Sequence, residues 1–245
     1  MQFLSWWRGG LTVGPAVNRL ARFRKVLSAA RDVPVYEASL RIAQLDTSGA
    51  IRRVASVESV LPQLGMFSLD QVRVRPPRSL NEPVRFHSPL PLASHPDVLW
   101  DSAGCTVRQL APDANPTFRA LIVRTGLDEG LLTASDRDAL WQRHGLPMFE
   151  HLTGMDGELL AFECETHSGL HIMEDNVAFQ LVGGELLLTS LTDLVQPTLQ
   201  TRTGWSARIE TEPCDCGRAG RRLIGLEHVA APAEATPALA HAAHA

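Results

Sequence analysis

The sequence predicts a mixed α/β (α+β) fold, and three features carry that prediction. An amphipathic stretch, AVNRLARFRKVLSAAR, occupies residues 16–31 and has the period of a surface helix. A strand, a helix and a second strand follow one another from Phe118 to Leu152. Beyond residue 158, short apolar runs separated by glycine or aspartate predict a largely antiparallel β region that reaches about Ile209.

The N-terminal part, residues 1–75, is predicted to be a helical region. Apolar side chains recur at helical spacing in its first helix, and Pro34 is expected to end that helix. A weaker helical pattern covers residues 36–45, and SVESVLPQLGMFSLDQVRV predicts a further short helix and turn. Residues 76–117 are rich in proline and are predicted to be an extended connection with one strand near Val98 to Trp100.

Residues 118–229 are predicted to form the core of the protein. FRALIVRTG reads as a buried strand, LLTASDRDALWQRHG as a helix and LPMFEHL as the next strand, which implies a right-handed parallel crossover. Ser135 and Asp138 have the spacing of a capping box, and Gly145 suits the C-terminal cap of the helix. The final residues, 230–245, are an Ala/Pro/His tail that is expected to be disordered.

Composition narrows the classes of function. The chain has 245 residues, a formal net charge of −4 and 44% hydrophobic residues, so it lacks the basic surface that nucleic acids or anionic membranes require. Its first residues carry no basic segment before the apolar ones and are interrupted by glycine, unlike a signal peptide or a membrane span. Four cysteines without a secretory signal indicate a reducing compartment, so a cytoplasmic location is expected.

Cysteine and histidine residues in the β-rich part have the composition of a metal site. Cys214 and Cys216 form a Cys-x-Cys pair, and FECETHSGLHIMED supplies Cys164 with either His167 or His171. Three thiolates and one imidazole make a closed tetrahedral set suited to zinc. The alternative is that Cys164 is a buried strand residue and the Cys-x-Cys pair is coincidental.

These same segments carry a family resemblance. The run from ALIVRTG through LTASDRDALWQRHGLPMFEHLTGMDGELLAFECETHSGLHIMED to PCDCGR resembles the second half of the adenylation core of phenylacetate-coenzyme A ligases, which are adenylate-forming enzymes. The resemblance covers residues 118–222 well and residues 16–70 weakly. It implies a truncated adenylation-type core and a structural zinc ion, Zn²⁺, bound by Cys164, His171, Cys214 and Cys216. It therefore selects His171 over His167.

The departures from the family pattern concern nucleotide chemistry. No Ser/Thr/Gly-rich phosphate loop ending in lysine occurs, and the only lysine is Lys25, near the N-terminus rather than in a C-terminal lid. LTGMD stands where the family has Tyr-Gly-x-Thr-Glu, so that Asp156 replaces the glutamate. TRTGW places Trp205 where the family aspartate accepts hydrogen bonds from ribose, and an indole only donates.

The sequence therefore predicts a degenerate, non-adenylating relative that serves as a zinc-stabilised binding or scaffolding module. The candidate partners are an acyl-CoA or aryl thioester, an acyl carrier protein or a companion enzyme; nucleic acid and membrane are not expected, and the oligomeric state is not indicated. The candidate ligand-binding residues are Gly126, Glu150, His151 and Asp156.

Two enzymatic alternatives remain. One is an enzyme that acts on thioesters without ATP, and the other is a residual ATP-dependent aryl-CoA ligase. The catalytic candidates are His151, Asp156 and Arg202, since a histidine near a carboxylate can transfer protons. The alternative, which the sequence favours, is that His151 is a strand residue whose hydrogen bond is satisfied inside the protein.

Overall fold

The structure is a computed structural model that describes residues 18–72, 98–102, 120–127, 131–154 and 157–229. Its described part combines helices with a seven-stranded and a three-stranded sheet, which confirms the predicted mixed α/β class. None of its described helices is long and apolar enough to cross a membrane. The predicted tail and most of the Pro-rich connection lie outside the described residues.

The helices are concentrated at the N-terminal side, as the sequence predicts. They are α1 (Arg19–Ala30), α2 (Glu37–Ile42), α3 (Ser48–Arg53), α4 (Val57–Val60), α5 (Leu69–Val72) and α6 (Ala134–His144), with 3₁₀ turns at Pro34–Tyr36 and Leu61–Gln63. Helix α1 buries one stripe, made of Phe23, Val26, Leu27 and Ala30. Pro34 lies beyond the end of α1 and begins a 3₁₀ turn, where its missing N–H is tolerated.

The strands are β1 (Val98–Ser102), β2 (Ala120–Gly126), β3 (Met148–Thr153), β4 (Leu159–Glu163), β5 (Leu170–Ile172), β6 (Val177–Val182), β7 (Glu185–Ser190), β8 (Thr201–Arg202), β9 (Trp205–Glu210) and β10 (Arg222–His228). The larger sheet has the order β1-β2-β3-β4-β5-β10-β9, and the smaller one the order β6-β7-β8. Strands β1, β2 and β3 are parallel, whereas the other pairs are antiparallel. The strand expected near Val98 is thus present at the parallel end of the sheet.

The predicted strand-helix-strand unit is confirmed as β2, α6 and β3. Its helix begins differently from the expectation: Thr133, not Ser135, is the N-cap, and its hydroxyl accepts a hydrogen bond from the Asp136 backbone N–H at 3.1 Å. The reason is that the backbone is still extended at Thr133, so Ser135 is already inside the helix. Gly145 ends α6 with a positive φ of 61°, as predicted.

The N-terminal helices pack against the smaller sheet and its connections. Tyr36 is fully buried, and its hydroxyl donates a hydrogen bond to the Pro197 carbonyl at 2.7 Å. Arg22 donates to the Asp175 carbonyl and to the Asn176 side chain at 2.8 and 2.9 Å. These contacts attach α1 and the first 3₁₀ turn to segments that are far away in the sequence. The predicted domain boundaries remain a prediction.

One strand, β10, is absent from the sequence-based assignment. Its segment, RLIGLEH, contains Gly225 with a φ of 63°, and its pairing with β9 shifts register between Ile224 and Glu227. A bulge of this kind interrupts the two-residue period by which strands are recognised. The strand nevertheless joins β5 to β9 and so completes the sheet around the candidate site.

Candidate metal centre

The order of the larger sheet brings the two predicted ligand pairs together. Cys164 directly follows β4, and His171 lies in the middle of β5, where it is in register with Phe162 and Arg222. Cys214 and Cys216 lie in the connection from β9 to β10. Because β5 is flanked by β4 and β10, residues that are fifty positions apart become neighbours.

The four side chains form one compact, buried cluster. Their ligand atoms all lie within 4.8 Å of one another. The Sγ atoms of Cys164 and Cys214 are 3.7 Å apart, and Cys216 Sγ is 3.3 Å from His171 Nε2. A tetrahedral ion with metal–sulfur bonds of about 2.3 Å requires sulfur atoms about 3.7 Å apart. The donor set and its spacing therefore fit a metal ion without rearrangement of the strands.

Two glycines allow the backbone to form this cluster. Gly217 has a φ of 80°, and its N–H donates to the Cys214 carbonyl at 2.9 Å, which closes the turn that holds both cysteines. Gly169 has a φ of 98°, and a Cβ at this position would lie only 2.6 Å from the Leu223 carbonyl oxygen. Glycine at both positions is thus required by conformation or by close approach.

Hydroxyl groups surround the thiol of Cys214. Thr166 Oγ1 and Ser168 Oγ each lie 3.3 Å from its Sγ atom, and Thr166 Oγ1 is also 3.1 Å from Cys164 Sγ. Burial opposes ionisation of Cys214, but hydrogen bonds from Ser168 and Thr166 lower its pKa to about 5. Burial raises the pKa of Cys164 to about 11. Coordination to a cation favours the thiolate at every such position.

Arginine side chains surround the cluster and compensate negative charge. Arg218 donates its backbone N–H to Cys216 Sγ at 3.4 Å, and its guanidinium pairs with the half-buried Glu165 at 2.5 Å. Arg222 is buried and donates to the Ser168 carbonyl at 2.7 Å and to the Glu212 carbonyl at 3.2 Å. Three thiolates around a divalent cation carry one net negative charge, which nearby guanidinium groups stabilise.

Of the two candidate histidines, the structure brings His171 to the cysteines. His171 is completely buried, and its Nε2 atom faces the Cys216 thiol. His167 turns away: its Nδ1 atom is 2.9 Å from Glu163 Oε1, and its ring stacks on Phe149 with centroids 5.5 Å apart. A positive φ of 51° at His167 accompanies this change of direction.

Two predicted ligand-binding residues, Glu150 and His151, lie next to each other on β3 and are both buried. Glu150 accepts hydrogen bonds from the Leu132 N–H at 3.2 Å and from Arg137 at 2.8 Å, and burial raises its pKa. His151 packs edge-on against Phe162, and burial lowers its pKa to about 3. A neutral, enclosed imidazole matches the interpretation of His151 as a strand residue better than that of a general base.

Two further predicted residues, Gly126 and Arg202, lie in different sheets. Gly126 ends β2 beside Thr153, whereas Arg202 belongs to the smaller sheet. The Arg202 guanidinium is paired with Glu185 at 2.5 Å, and its side chain is 55% exposed. Asp156 lies outside the described residues.

Trp205, which the sequence resemblance aligned with an aspartate, is part of the interior. It is 4% exposed, and its indole N–H donates to the Leu127 carbonyl at 2.7 Å. Its ring contacts that of His228, with centroids 3.8 Å apart. The indole is therefore occupied by contacts within the chain.

A buried ion network was missed by the sequence analysis. Arg137, on α6, donates to Glu150 at 2.8 Å and to Glu163 at 3.0 Å, and Glu163 also accepts from the Glu150 backbone N–H at 2.9 Å. Both carboxylate side chains are only 6% exposed. The sequence feature that could have indicated this network is the occurrence of two glutamates inside apolar strand patterns. Buried carboxylates need a cationic partner, so these two residues predict a nearby arginine or lysine.

Part of this chain is similar in structure to part of a known protein. No protein-family model matches the chain, and no curated protein matches it. An open conformation of 2-hydroxyisobutyryl-CoA ligase with 2-HIB-AMP and CoA is similar over 54% of this chain and 34% of the ligase, with 15% identity and a TM-score of 0.44. The same ligase in the postadenylation state with R3-HIB-AMP is similar over 52% and 31%, with 16% identity and a TM-score of 0.42. Both structures are of the same CoA ligase, and this chain spans about a third of its length.

Proposed function

We propose that this protein is a zinc-stabilised binding module, related to phenylacetate-coenzyme A ligases but without adenylating activity. The observation that carries the proposal is the buried cluster of Cys164, His171, Cys214 and Cys216. These residues provide a complete set of four protein ligands, which is typical of structural zinc and leaves no coordination position for a reacting water. Zinc would supply no chemistry here beyond fixing the fold.

Trp205 supports the proposed loss of adenylating activity. The family resemblance aligns Trp205 with an aspartate, and the Trp205 indole donates to Leu127 inside the protein. A buried donor in this position leaves a ribose hydroxyl without its acceptor, which weakens binding by ~1–3 kcal/mol. The missing phosphate loop and lid lysine of the sequence act in the same direction.

The proposed binding partner is an acyl-CoA or aryl thioester, an acyl carrier protein or a companion enzyme. This part rests on the resemblance of residues 118–222 to the phenylacetate-coenzyme A ligases. The enzymatic alternative, thioester chemistry without ATP, is less well supported because burial lowers the pKa of its candidate base, His151, to about 3.

The metal half of the proposal is tested by elemental analysis of purified protein. We expect about one zinc per chain. Cys214→Ser should reduce this stoichiometry severalfold, whereas Cys105→Ser, the matched cysteine change outside the cluster, should leave it unchanged. Equal zinc content in the two variants, or no zinc in the unaltered protein, would contradict the proposed centre.

The functional half is tested by calorimetric titration and pyrophosphate exchange. We expect phenylacetyl-CoA to bind more tightly than ATP, and phenylacetate with ATP to give exchange no faster than the background. Arg202→Gln serves as the test of a residual site, since a real adenylating activity should fall when a family-aligned arginine is neutralised. Exchange above background that Arg202→Gln abolishes would restore the ligase interpretation.

A further inference from the structure

A cavity lies on the face of the larger sheet that α6 covers. It has a volume of about 660 Å³, and its lining comes from α6, the start of β3 and the region where β4, β5 and β10 meet. Its apolar wall includes Met148, Leu170, Leu223 and Leu226. This volume is within the range of small-molecule sites, about 300–1,000 Å³.

Two glycines line the cavity. Gly169 lines it where β5 begins, and any side chain there would collide with the Leu223 carbonyl. Gly225 lines it at the bulge of β10, with no other atom within 4 Å of the place where a Cβ would stand. The backbone of β10 therefore forms part of the cavity wall at Gly225.

Part of the cavity lining is polar and is linked by ion pairs. Its side chains are Arg137, Glu150, Glu163 and His167, which are joined by the contacts from Arg137 to both carboxylates and from His167 to Glu163 at 2.9 Å. A carboxylate has about four positions at which it can accept hydrogen bonds. On Glu150, hydrogen bonds from the Leu132 N–H and from Arg137 occupy two of these positions.

The charge of the lining is negative. Among the described residues, the cavity is lined by three carboxylates, those of Asp138, Glu150 and Glu163, and by one guanidinium, that of Arg137, besides the His167 imidazole. An anion would face net repulsion there, whereas a cation would be attracted.

An exposed aromatic side chain adds to this preference. Trp141 lines the same cavity, is 54% exposed and is three residues from Asp138 on α6, so the two share a face of the helix. The face of an indole attracts ammonium and guanidinium groups. A carboxylate and an indole at one rim, with apolar side chains behind them, match an amphipathic cation.

We propose that this cavity binds a small organic cation, with an ammonium head at the Asp138, Glu150 and Trp141 end and an apolar body against Leu170, Leu223 and Leu226. The site is distinct from the metal centre and does not depend on the proposed thioester function. Coenzyme A thioesters are anionic, so their phosphates are unsuited to this lining.

The test compares three probes that share a phenylethyl body: phenethylamine, hydrocinnamate and phenethyl alcohol. Calorimetric titration of the full chain should give an affinity for the amine at least tenfold above that for the carboxylate, with the alcohol between them. Tighter binding of hydrocinnamate, equal binding of all three probes, or no binding of the amine would overturn the proposal.

Exposed variants locate the site without threatening the fold. Trp141→Ala and Asp138→Asn should each weaken amine binding by about threefold. Glu227→Gln, an exposed carboxylate on β10 that does not line the cavity, should leave the affinity unchanged. Leu226→Trp should fill the apolar end and reduce binding more than tenfold, provided that circular dichroism shows a folded protein. Equal amine affinity in Trp141→Ala, Asp138→Asn and the unaltered chain would refute this location.

Discussion

Two polar clusters contain adjacent residues of the chain, but only one of them could be recognised from the sequence. Cys164 belongs to the metal centre, and its neighbour Glu163 belongs to the ion network with Arg137 and Glu150. Both clusters are buried and both join separate elements. Only the first was predicted from the sequence.

The difference lies in how specific the residue types are. Cysteine and histidine at short spacings indicate a metal, because few other roles place three thiols and an imidazole together. Glutamate and arginine are abundant, and their identities do not indicate which will pair. A buried salt bridge also contributes less to stability than its Coulomb energy suggests, since both charges lose hydration. We therefore expect the metal cluster to contribute more to the free energy of unfolding than the ion network does.

The largest effect should separate the two histidines. His171→Phe removes one of the four proposed metal ligands. Because metal binding contributes folding free energy on the order of 10 kcal/mol in small zinc sites, this change should abolish cooperative unfolding or lower the melting temperature strongly. His167→Phe is the matched control, since His167 contacts Glu163 rather than the cysteines. Metal content and thermal melts measure both. Similar metal loss in the two variants would remove the distinction between the clusters.

A smaller effect is expected in the ion network. Arg137→Met leaves Glu150 and Glu163 buried without their guanidinium, which should lower the free energy of unfolding by ~3 kcal/mol. Arg143→Met, at an exposed position of the same helix, should change it by less than about 0.5 kcal/mol. Urea unfolding at neutral pH measures both. An unchanged midpoint in Arg137→Met would show that the network adds nothing to stability.

Lowering the pH should destabilise the folded protein through His151, which belongs to neither cluster. Burial lowers its folded-state pKa to about 3, below the ordinary value of about 6.5, so only the unfolded chain binds this proton between those values. The stabilisation is therefore present above about pH 6.5 and is lost as the pH falls, by ~1.4 kcal/mol per pH unit from this group.

The His151 contribution can be isolated by difference. His151→Leu removes this pH dependence. When the pH is lowered from about 6.5 to 5, the free energy of unfolding should therefore fall by ~2 kcal/mol more in the unaltered chain than in the variant. Urea titrations of both proteins at several pH values give this difference. A difference that does not vary with pH would contradict the buried, neutral state of His151.

The smallest expected effect concerns the start of the helix that carries Arg137. Thr133→Ala removes the cap of α6 and should lower the free energy of unfolding by ~1 kcal/mol. Ser135→Ala, at the position favoured by the sequence pattern, should have a clearly smaller effect because Ser135 lies within the helix. Chemical unfolding of both variants decides between the two caps, and a larger loss in Ser135→Ala would reverse the assignment.

Much of the fold could be predicted because its signals are local. The β2-α6-β3 unit was recognisable from a buried apolar run, a helical segment ending at Gly145 and a second apolar run. Strand β10 was not, because Gly225 and the bulge break its period. The N-cap was misplaced by two residues, since Thr133 and Ser135 both precede an aspartate by three positions and only the backbone conformation distinguishes them.

The sequence by itself determined the chemistry of the candidate metal centre: three cysteines, a histidine nearby and the glycine that allows their turn. From the residues alone, His167 and His171 were equivalent, and the family resemblance favoured His171. Tertiary structure decided the rest: the order β4-β5-β10 directs His171 to the cysteines, and the packing of α6 pairs Arg137 with Glu150 and Glu163. The physical reason is the distance along the chain over which each effect acts. Residue spacing and backbone preference act over a few residues. The partner of a buried charge or of a metal-binding side chain depends instead on which distant strands become neighbours.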